Sequence, residues 1–247
     1  MIKLVNSEFR KLFTTTWFKI TAVVTIVLGP VSAVTNVYTG AAKDPAGLAS
    51  TQSIHHILSL AALTSMVMLA VGIGAMAGEY RHGTALPTFL VTPRRGRVVL
   101  AKLVTVTVLG AALSAVAFGL TLAAAVPALS AHGIDHLAGD TGQMWIGAIV
   151  TGALFGALGV AIGAVTRNTV VAIIATLVWV QFIEEAFLAS VVPSVGKWLP
   201  TGANLAITHT AEHPQDLLTP VVAALVLIGW TAALAAGASR FVIERDV

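Results

Sequence analysis

The sequence predicts an all-α membrane protein, a single transmembrane domain over residues 1–247 with six transmembrane helices. First, 57% of the residues are hydrophobic and only 10% are charged, whereas an ordinary soluble domain is about 25% charged. Second, the mean hydropathy is +0.90, so a soluble fold would have too little polar surface to cover its core. Third, uncharged intervals of about 20 residues recur, the length that a helix needs to cross a bilayer. The absence of cysteine excludes disulfides and thiolate metal sites.

Residues 1–16 are predicted to form an interfacial amphipathic helix with its basic face toward anionic headgroups. The apolar stripe comprises Ile2, Val5, Phe9, Leu12 and Phe13. The polar face comprises Lys3, Ser7, Glu8, Arg10 and Lys11. The alternative is a secretory signal peptide that is cleaved after Val31-Ser32-Ala33.

Six intervals qualify as transmembrane spans, because none shows the strict alternation of a barrel strand and backbone groups in lipid must bond within their own helix. They cover about 17–39, 54–78, 98–127, 143–166, 168–183 and 217–239. The fourth carries glycines four apart, at Gly152 and Gly156 and again at Gly159 and Gly163. This spacing indicates close helix packing, either within the chain or at a dimer seam.

Residues 182–216 are predicted to form an outer re-entrant segment, because Pro193, Pro200 and Pro214 separate short apolar runs. The alternative is an ordinary outer loop. Glu184 and Glu185 end the fifth span near the predicted outer boundary. They are candidates for a polar ring at the outer mouth of a substrate path, or else a solvated pair at a helix end.

The basic residues predict the orientation, because loops on the cytoplasmic side are enriched in Lys and Arg. With six spans, twelve of the 14 basic residues fall on the side of both termini. The other two, Lys43 and Lys197, fall on the opposite side. Both termini are therefore predicted to be cytoplasmic, in a multi-pass protein of the cytoplasmic membrane.

The loop over residues 79–97 has the pattern of a short, rigid helix at the membrane surface. Gly83 permits a sharp turn, Thr84 can cap a helix, and Pro93 ends it. Its apolar face comprises Leu86, Phe89 and Leu90, and its basic exit comprises Arg94, Arg95 and Arg97. Such an element suits docking into a groove on a cytosolic partner. The alternative is a basic loop that only sets the topology.

This loop resembles the loop between the second and third spans of type 2 ABC transporter permeases. The matching pattern is Glu79, Gly83-Thr84, Leu86, Leu90, Pro93, Arg97 and Lys102. The resemblance extends to the interfacial helix, the six spans and the re-entrant segment. Pro87 departs from the family pattern and shortens the expected helix. The resemblance implies coupling to an ATPase through Glu79, Arg81, Gly83, Thr84, Leu86, Phe89, Leu90, Pro93 and Arg97.

The same resemblance implies the partners and the mechanism. They are two copies of a cytosolic ATPase, which would bind ATP and Mg, and a second permease subunit that forms a homodimer with this chain. The implied activity is alternating-access export of an amphipathic or hydrophobic molecule such as a drug, antibiotic, lipid or peptide. The sequence lacks a Gly-x-x-x-x-Gly-Lys-Ser/Thr phosphate loop. We therefore expect no cofactor and no catalytic residue on this chain, and no nucleic-acid partner.

The residues leave two other classes of protein open. His209, Glu212 and His213 formally match the His-x-x-Glu-His zinc pattern of a membrane-anchored metalloprotease, although Pro214 follows directly. We expect no metal there, since the pattern needs a helix and a third ligand. A secondary carrier or channel would need internal repeats or broken spans, and no convincing repeat is present.

Overall fold

The computed structural model describes residues 1–59, 63–81, 83, 95–188, 192–210 and 217–244. The helices before residue 84 are α1 (Ile2–Thr14), α2 (Thr16–Lys43), α3 (Pro45–Leu48), α4 (Thr51–Ser59) and α5 (Leu63–Arg81). Those after it are α6 (Arg95–Ser130), α7 (Thr141–Thr166), α8 (Thr169–Val178), α9 (Pro193–Gly196), α10 (Pro200–Thr208) and α11 (Pro220–Glu244). A π-helical segment, Trp179–Leu188, continues α8.

Five stretches within these helices are long and apolar enough to cross a membrane. They are Thr16–Lys43, the interval from Thr51 to Arg81, Gly96–Ser130, Thr141–Thr166 and Pro220–Ala238. They overlap five of the six predicted intervals. At the position of the remaining interval, 168–183, the apolar helix Thr169–Glu184 is shorter. The all-helical membrane architecture is thus confirmed, and the sixth span remains a prediction.

Helix α7 lies at the centre of the bundle, where it packs against α5, α6 and α11. The close contacts occur at its glycines. A Cβ atom at Gly159 would collide with the Leu69 carbonyl of α5, and one at Gly152 would collide with the Ser114 hydroxyl of α6. Helices approach this closely only where side chains are very small. The glycines of α7 therefore serve packing within the chain.

The connection from α7 to α8 is a tight turn. Arg167 adopts a left-handed conformation, with φ 53°, and its N–H bonds to the Gly163 carbonyl. The Asn168 side chain then accepts hydrogen bonds from the N–H groups of Val170 and Val171, at 3.1 and 3.2 Å. These are the contacts of a helix N-cap. They reverse the chain within two residues.

Two short helices, α9 and α10, occupy the described part of the predicted re-entrant segment. Trp230 Nε1 of α11 donates a hydrogen bond of 3.0 Å to the Trp198 carbonyl. Trp230 lies ten residues after Pro220, which is roughly 15 Å along α11. At its other end, α10 packs with Ile207 against Gly147, near the start of α7. The segment around Trp198 thus lies roughly 15 Å along the bundle from the end at which α11 begins.

A candidate coupling site at the α1 end of the bundle

The structure describes four of the nine predicted coupling residues. Glu79 and Arg81 end α5, and Arg97 lies in the first turn of α6. Gly83 has φ +67°, a conformation that strongly favours glycine. The other five, Thr84, Leu86, Phe89, Leu90 and Pro93, lie outside the described residues, as does the predicted coupling helix that they would form. Their role stays a prediction.

Four charged side chains join three helices next to this loop. Lys102 Nζ of α6 lies 2.5 Å from Glu8 Oε2 of α1 and 2.9 Å from Glu79 Oε1 of α5. Lys11 Nζ of α1 lies 2.7 Å from Glu8 Oε1 and 2.9 Å from Glu79 Oε1. Each lysine therefore bridges both glutamates in a closed cycle of alternating charge. We call Glu8, Lys11, Glu79 and Lys102 the ion ring.

The ion ring is largely removed from solvent. The side chains of Lys102 and Glu8 are 3% and 4% exposed, and that of Glu79 is 12% exposed. Only the Lys11 side chain, at 46%, is substantially exposed. Charges in such a place are costly unless they are paired and hydrogen-bonded. The ring meets this requirement with two positive and two negative groups, so it adds no net charge.

The pKa shifts follow from this pairing. Burial raises the pKa of Glu8, but attraction and hydrogen bonds from Lys102 and Lys11 outweigh it and hold this pKa below its usual 4.5. Burial lowers the pKa of Lys11, but hydrogen bonds and attraction from Glu8 and Glu79 hold this pKa above its usual 10.5. Glu8 and Lys11 are therefore both charged at neutral pH.

The prediction that Glu8 lies on a polar face of α1 was wrong. Glu8 is 3% exposed and points into the bundle, on the row that it shares with Leu4 and Leu12 at helical spacing. Sequence analysis also missed the pairing of Glu8 with Lys102. The spacing of Leu4, Glu8 and Leu12 was the signal that could have revealed a buried carboxylate.

A further contact at the α1 end fixes the turn between α7 and α8. The Arg167 guanidinium lies over the Tyr80 ring, 5.4 Å from its centroid. This distance is within the range of a cation–π interaction. Tyr80 directly follows Glu79 of the ion ring. The end of α5 therefore contacts α1, α6 and the α7–α8 turn.

The structure describes one side chain of the predicted pair Glu184 and Glu185, that of Glu184. Glu184 is 3% exposed and accepts hydrogen bonds from Trp179 Nε1 at 2.6 Å and from the Thr201 N–H at 2.8 Å. Thr201 is the second residue of α10, so Glu184 binds the N-terminus of that helix, where the helix dipole favours an anion. The Glu185 side chain is outside the described part. The assignment of both to a substrate path stays a prediction.

The residues of the alternative metalloprotease site are only partly described. His209 ends α10 with φ 55°, and Glu212 and His213 lie in the undescribed range 211–216. Among the residues that the structure describes, no group of three or more His, Asp or Glu side chains could hold a metal ion. No described feature favours a hydrolytic site here.

Comparison with known families decides between these classes. The sequence model of the ABC-2 family transporter protein matches residues 4–182. The chain belongs to the ABC-2 transporter family. This confirms the resemblance seen in the loop. A search of curated proteins gives no significant match.

Membership of the ABC-2 family settles the general role of this chain. It is a membrane subunit of an ABC transporter, and ATP is hydrolysed by a separate ABC ATPase partner. The match contains all four residues of the ion ring and ends two residues before Glu184. Residues 183–247 of this ABC-2 protein lie outside the match.

Proposed function

We propose that this ABC-2 protein is the permease of an exporter in the cytoplasmic membrane, with both termini in the cytoplasm. It moves an amphipathic or hydrophobic molecule, such as a drug, antibiotic, lipid or peptide, outward by alternating access. The observation that carries the proposal is the ion ring. It joins α1, α5 and α6 beside the loop over residues 79–97.

The ion ring bridges the two ends of this loop. Glu79 precedes the loop and Lys102 follows it, and the two side chains are 2.9 Å apart. Since Lys102 also binds Glu8, a displacement of the loop moves α5 and α6 together with α1. Buried, hydrogen-bonded ion pairs resist being separated, because an unpaired charge would remain in an apolar environment. This arrangement suits transmission of movement from a cytosolic ATPase to the spans.

The remaining partners complete the transporter. Two copies of the ATPase bind ATP and Mg, and a second copy of this chain forms the other half of the path. Several apolar side chains of α2 are between 50% and 60% exposed, among them those of Ile20, Val23, Val27 and Val31. They form a surface for lipid or for the second subunit. The apolar character of the spans supports an amphipathic or hydrophobic cargo.

The test is reconstitution of the chain with its ABC ATPase in vesicles. We expect the two to co-purify and to accumulate or release a hydrophobic probe only with ATP and Mg. Gly83→Trp should abolish co-purification, because a large side chain at a positive φ distorts the start of the loop. Transport by the purified chain without any ATPase would refute the proposal.

A matched control exists at the other end of the bundle. Gly133 also has a positive φ, at +77°, and like Gly83 it has no atom of the described residues within 4 Å of where a Cβ would lie. Gly133→Trp therefore introduces similar backbone strain away from the loop. We expect it to leave ATPase binding intact. Equal loss of binding in both variants would indicate general misfolding and would contradict the assigned coupling role.

A further inference from the structure

A narrow cavity runs between α7, α8 and α11. Its volume is about 230 Å³, which exceeds the ~150 Å³ of an apolar cavity that can hold benzene. It is lined by Leu158 and Ile162 of α7, by Thr176 of α8 and by Leu234 of α11. We call this cavity the α7–α8–α11 slot.

The slot has the length of one lipid leaflet. Phe155 and Thr166 of α7 both line it, and their separation of eleven positions corresponds to roughly 16 Å of helix. One leaflet contributes about half of the ~30 Å hydrocarbon core. The slot is therefore long compared with its volume of about 230 Å³. A single alkyl chain has this shape.

The end of the slot away from Thr166 is lined by residues that hydrogen bonds hold in place. Glu184 and Pro200 lie there, together with the rings of Trp179 and Trp230. Hydrogen bonds fix both indoles, from Trp179 Nε1 to Glu184 at 2.6 Å and from Trp230 Nε1 to the Trp198 carbonyl at 3.0 Å. The slot is therefore formed before any chain enters it, which lowers the entropic cost of binding.

The open end lies at the α1 end of the bundle. Thr166, the last residue of α7, is exposed and lines the slot. Arg167 follows it and places a guanidinium at this level, above the Tyr80 ring. Guanidinium groups bind phosphate well. The opening thus lies where the headgroups of the nearer leaflet would be.

We propose that the α7–α8–α11 slot binds one acyl chain of a phospholipid from the leaflet on the α1 side, with the headgroup beside Thr166 and Arg167. The surrounding bilayer supplies this lipid directly, since the opposite face of α8 is apolar and exposed, with Ile174 at 57%. The chain end lies deepest, between Phe155 and Pro200. The site does not depend on the direction of transport or on the cargo.

Photolabelling of the full-length wild-type protein tests this depth order. The protein is placed in vesicles of phosphatidylethanolamine and phosphatidylglycerol that contain phosphatidylglycerol with a diazirine in one acyl chain. A diazirine at the chain end should label Phe155 and Leu158, and one near the ester should label Ile162 and Thr166. Labelling confined to lipid-exposed residues such as Ile174, or the same pattern with both probes, would overturn the proposal.

Blocking variants provide the second arm. Thr176→Phe fills the slot and should remove labelling of Leu158 and Ile162, whereas Ile174→Phe adds the same side chain on the lipid-exposed face and should not. Ala175→Phe, at an exposed position that also lines the slot, serves if Thr176→Phe fails to fold. Unchanged labelling in a folded blocking variant would overturn the proposal.

Competition distinguishes a membrane phospholipid from a transported molecule as the source of the alkyl chain in the slot. Excess unlabelled phosphatidylglycerol should displace the probe from Leu158 and Ile162. Displacement by a transported hydrophobic molecule, but not by excess lipid, would show that the slot holds cargo, and the lipid assignment would fail. Because these measurements need neither ATP nor the ATPase, their failure is distinguishable from failure of the proposed export.

Discussion

Two carboxylates, Glu8 and Glu184, are equally buried, at 3% exposure each, but the protein stabilises them differently. Glu8 binds two lysine ammonium groups and is part of the ion ring. Glu184 accepts hydrogen bonds from an indole N–H and from a backbone N–H at the start of α10. The contacts of Glu8 pair opposite charges, whereas these two contacts of Glu184 use neutral dipoles.

The two kinds of contact correspond to the elements that each carboxylate joins. Glu8 and Lys102 are 94 residues apart in sequence, and their contact joins α1 to the third predicted span next to the coupling loop. Glu184 and Thr201 are 17 residues apart, and their contact joins the end of one helix to a short neighbouring helix. Ion pairing thus couples distant elements, whereas hydrogen bonding to N–H groups shapes a local cap.

Lys102→Met should cause the largest loss of stability. This change keeps the length of the side chain but leaves Glu8 and Glu79 buried without their shared cation. Loss of one partner of a buried ion pair costs about 3–5 kcal/mol. We expect a lower thermal unfolding midpoint in detergent and a loss of ATP-dependent transport in vesicles. Unchanged stability would show that the ring does not hold α1 in place.

Glu184→Gln should have a smaller effect. The amide can accept from only one of the two N–H groups, so one of them is left unsatisfied, at a cost of about 1–3 kcal/mol. Thermal unfolding should report this loss, and amide hydrogen exchange at Thr201 should become faster. A destabilisation as large as that of Lys102→Met would contradict the distinction between the two carboxylates.

Acidification should weaken the ion ring through Glu8. Because the pKa of Glu8 is below its usual 4.5 in the folded protein, its contribution is fully present above the unfolded value and is lost as the pH falls through the folded value. The thermal midpoint should therefore drop as the pH is lowered below the usual Glu value of 4.5. Glu8→Gln should reduce this drop. An identical pH profile in the variant would assign the effect to other carboxylates.

Lys11→Met should have the smallest effect. The Lys11 side chain is 46% exposed, and ion pairs open to solvent contribute about 0–1 kcal/mol. Its thermal midpoint should differ little from that of the wild type, and any difference should shrink at high salt. Comparison with Lys102→Met thus measures how much burial strengthens a ring contact. An equal drop of the thermal midpoint in Lys11→Met and Lys102→Met would show that solvent exposure does not weaken the contacts of Lys11.

Part of the ring could have been predicted from the sequence. Leu4, Glu8 and Leu12 share a helical row, which places a carboxylate among apolar side chains. Its partner Lys102 could not be predicted in this way, because no local pattern specifies which of the nine basic residues that follow α1 on the predicted cytoplasmic side reaches this helix. That choice depends on how α1, α5 and α6 pack. The sequence likewise placed Glu184 at the end of the fifth predicted span, but it did not predict that this carboxylate is buried.

Composition and local patterns were sufficient to predict a membrane-spanning helical protein of the ABC-2 type. Long apolar intervals need internally bonded backbone in lipid, and the loop after Glu79 has the family pattern. The packing of the helices specifies which charges meet, that Glu184 binds the start of α10, and that a slot of one leaflet's length lies between α7, α8 and α11. Contacts between residues far apart in sequence depend on helix packing, and hydropathy does not specify it.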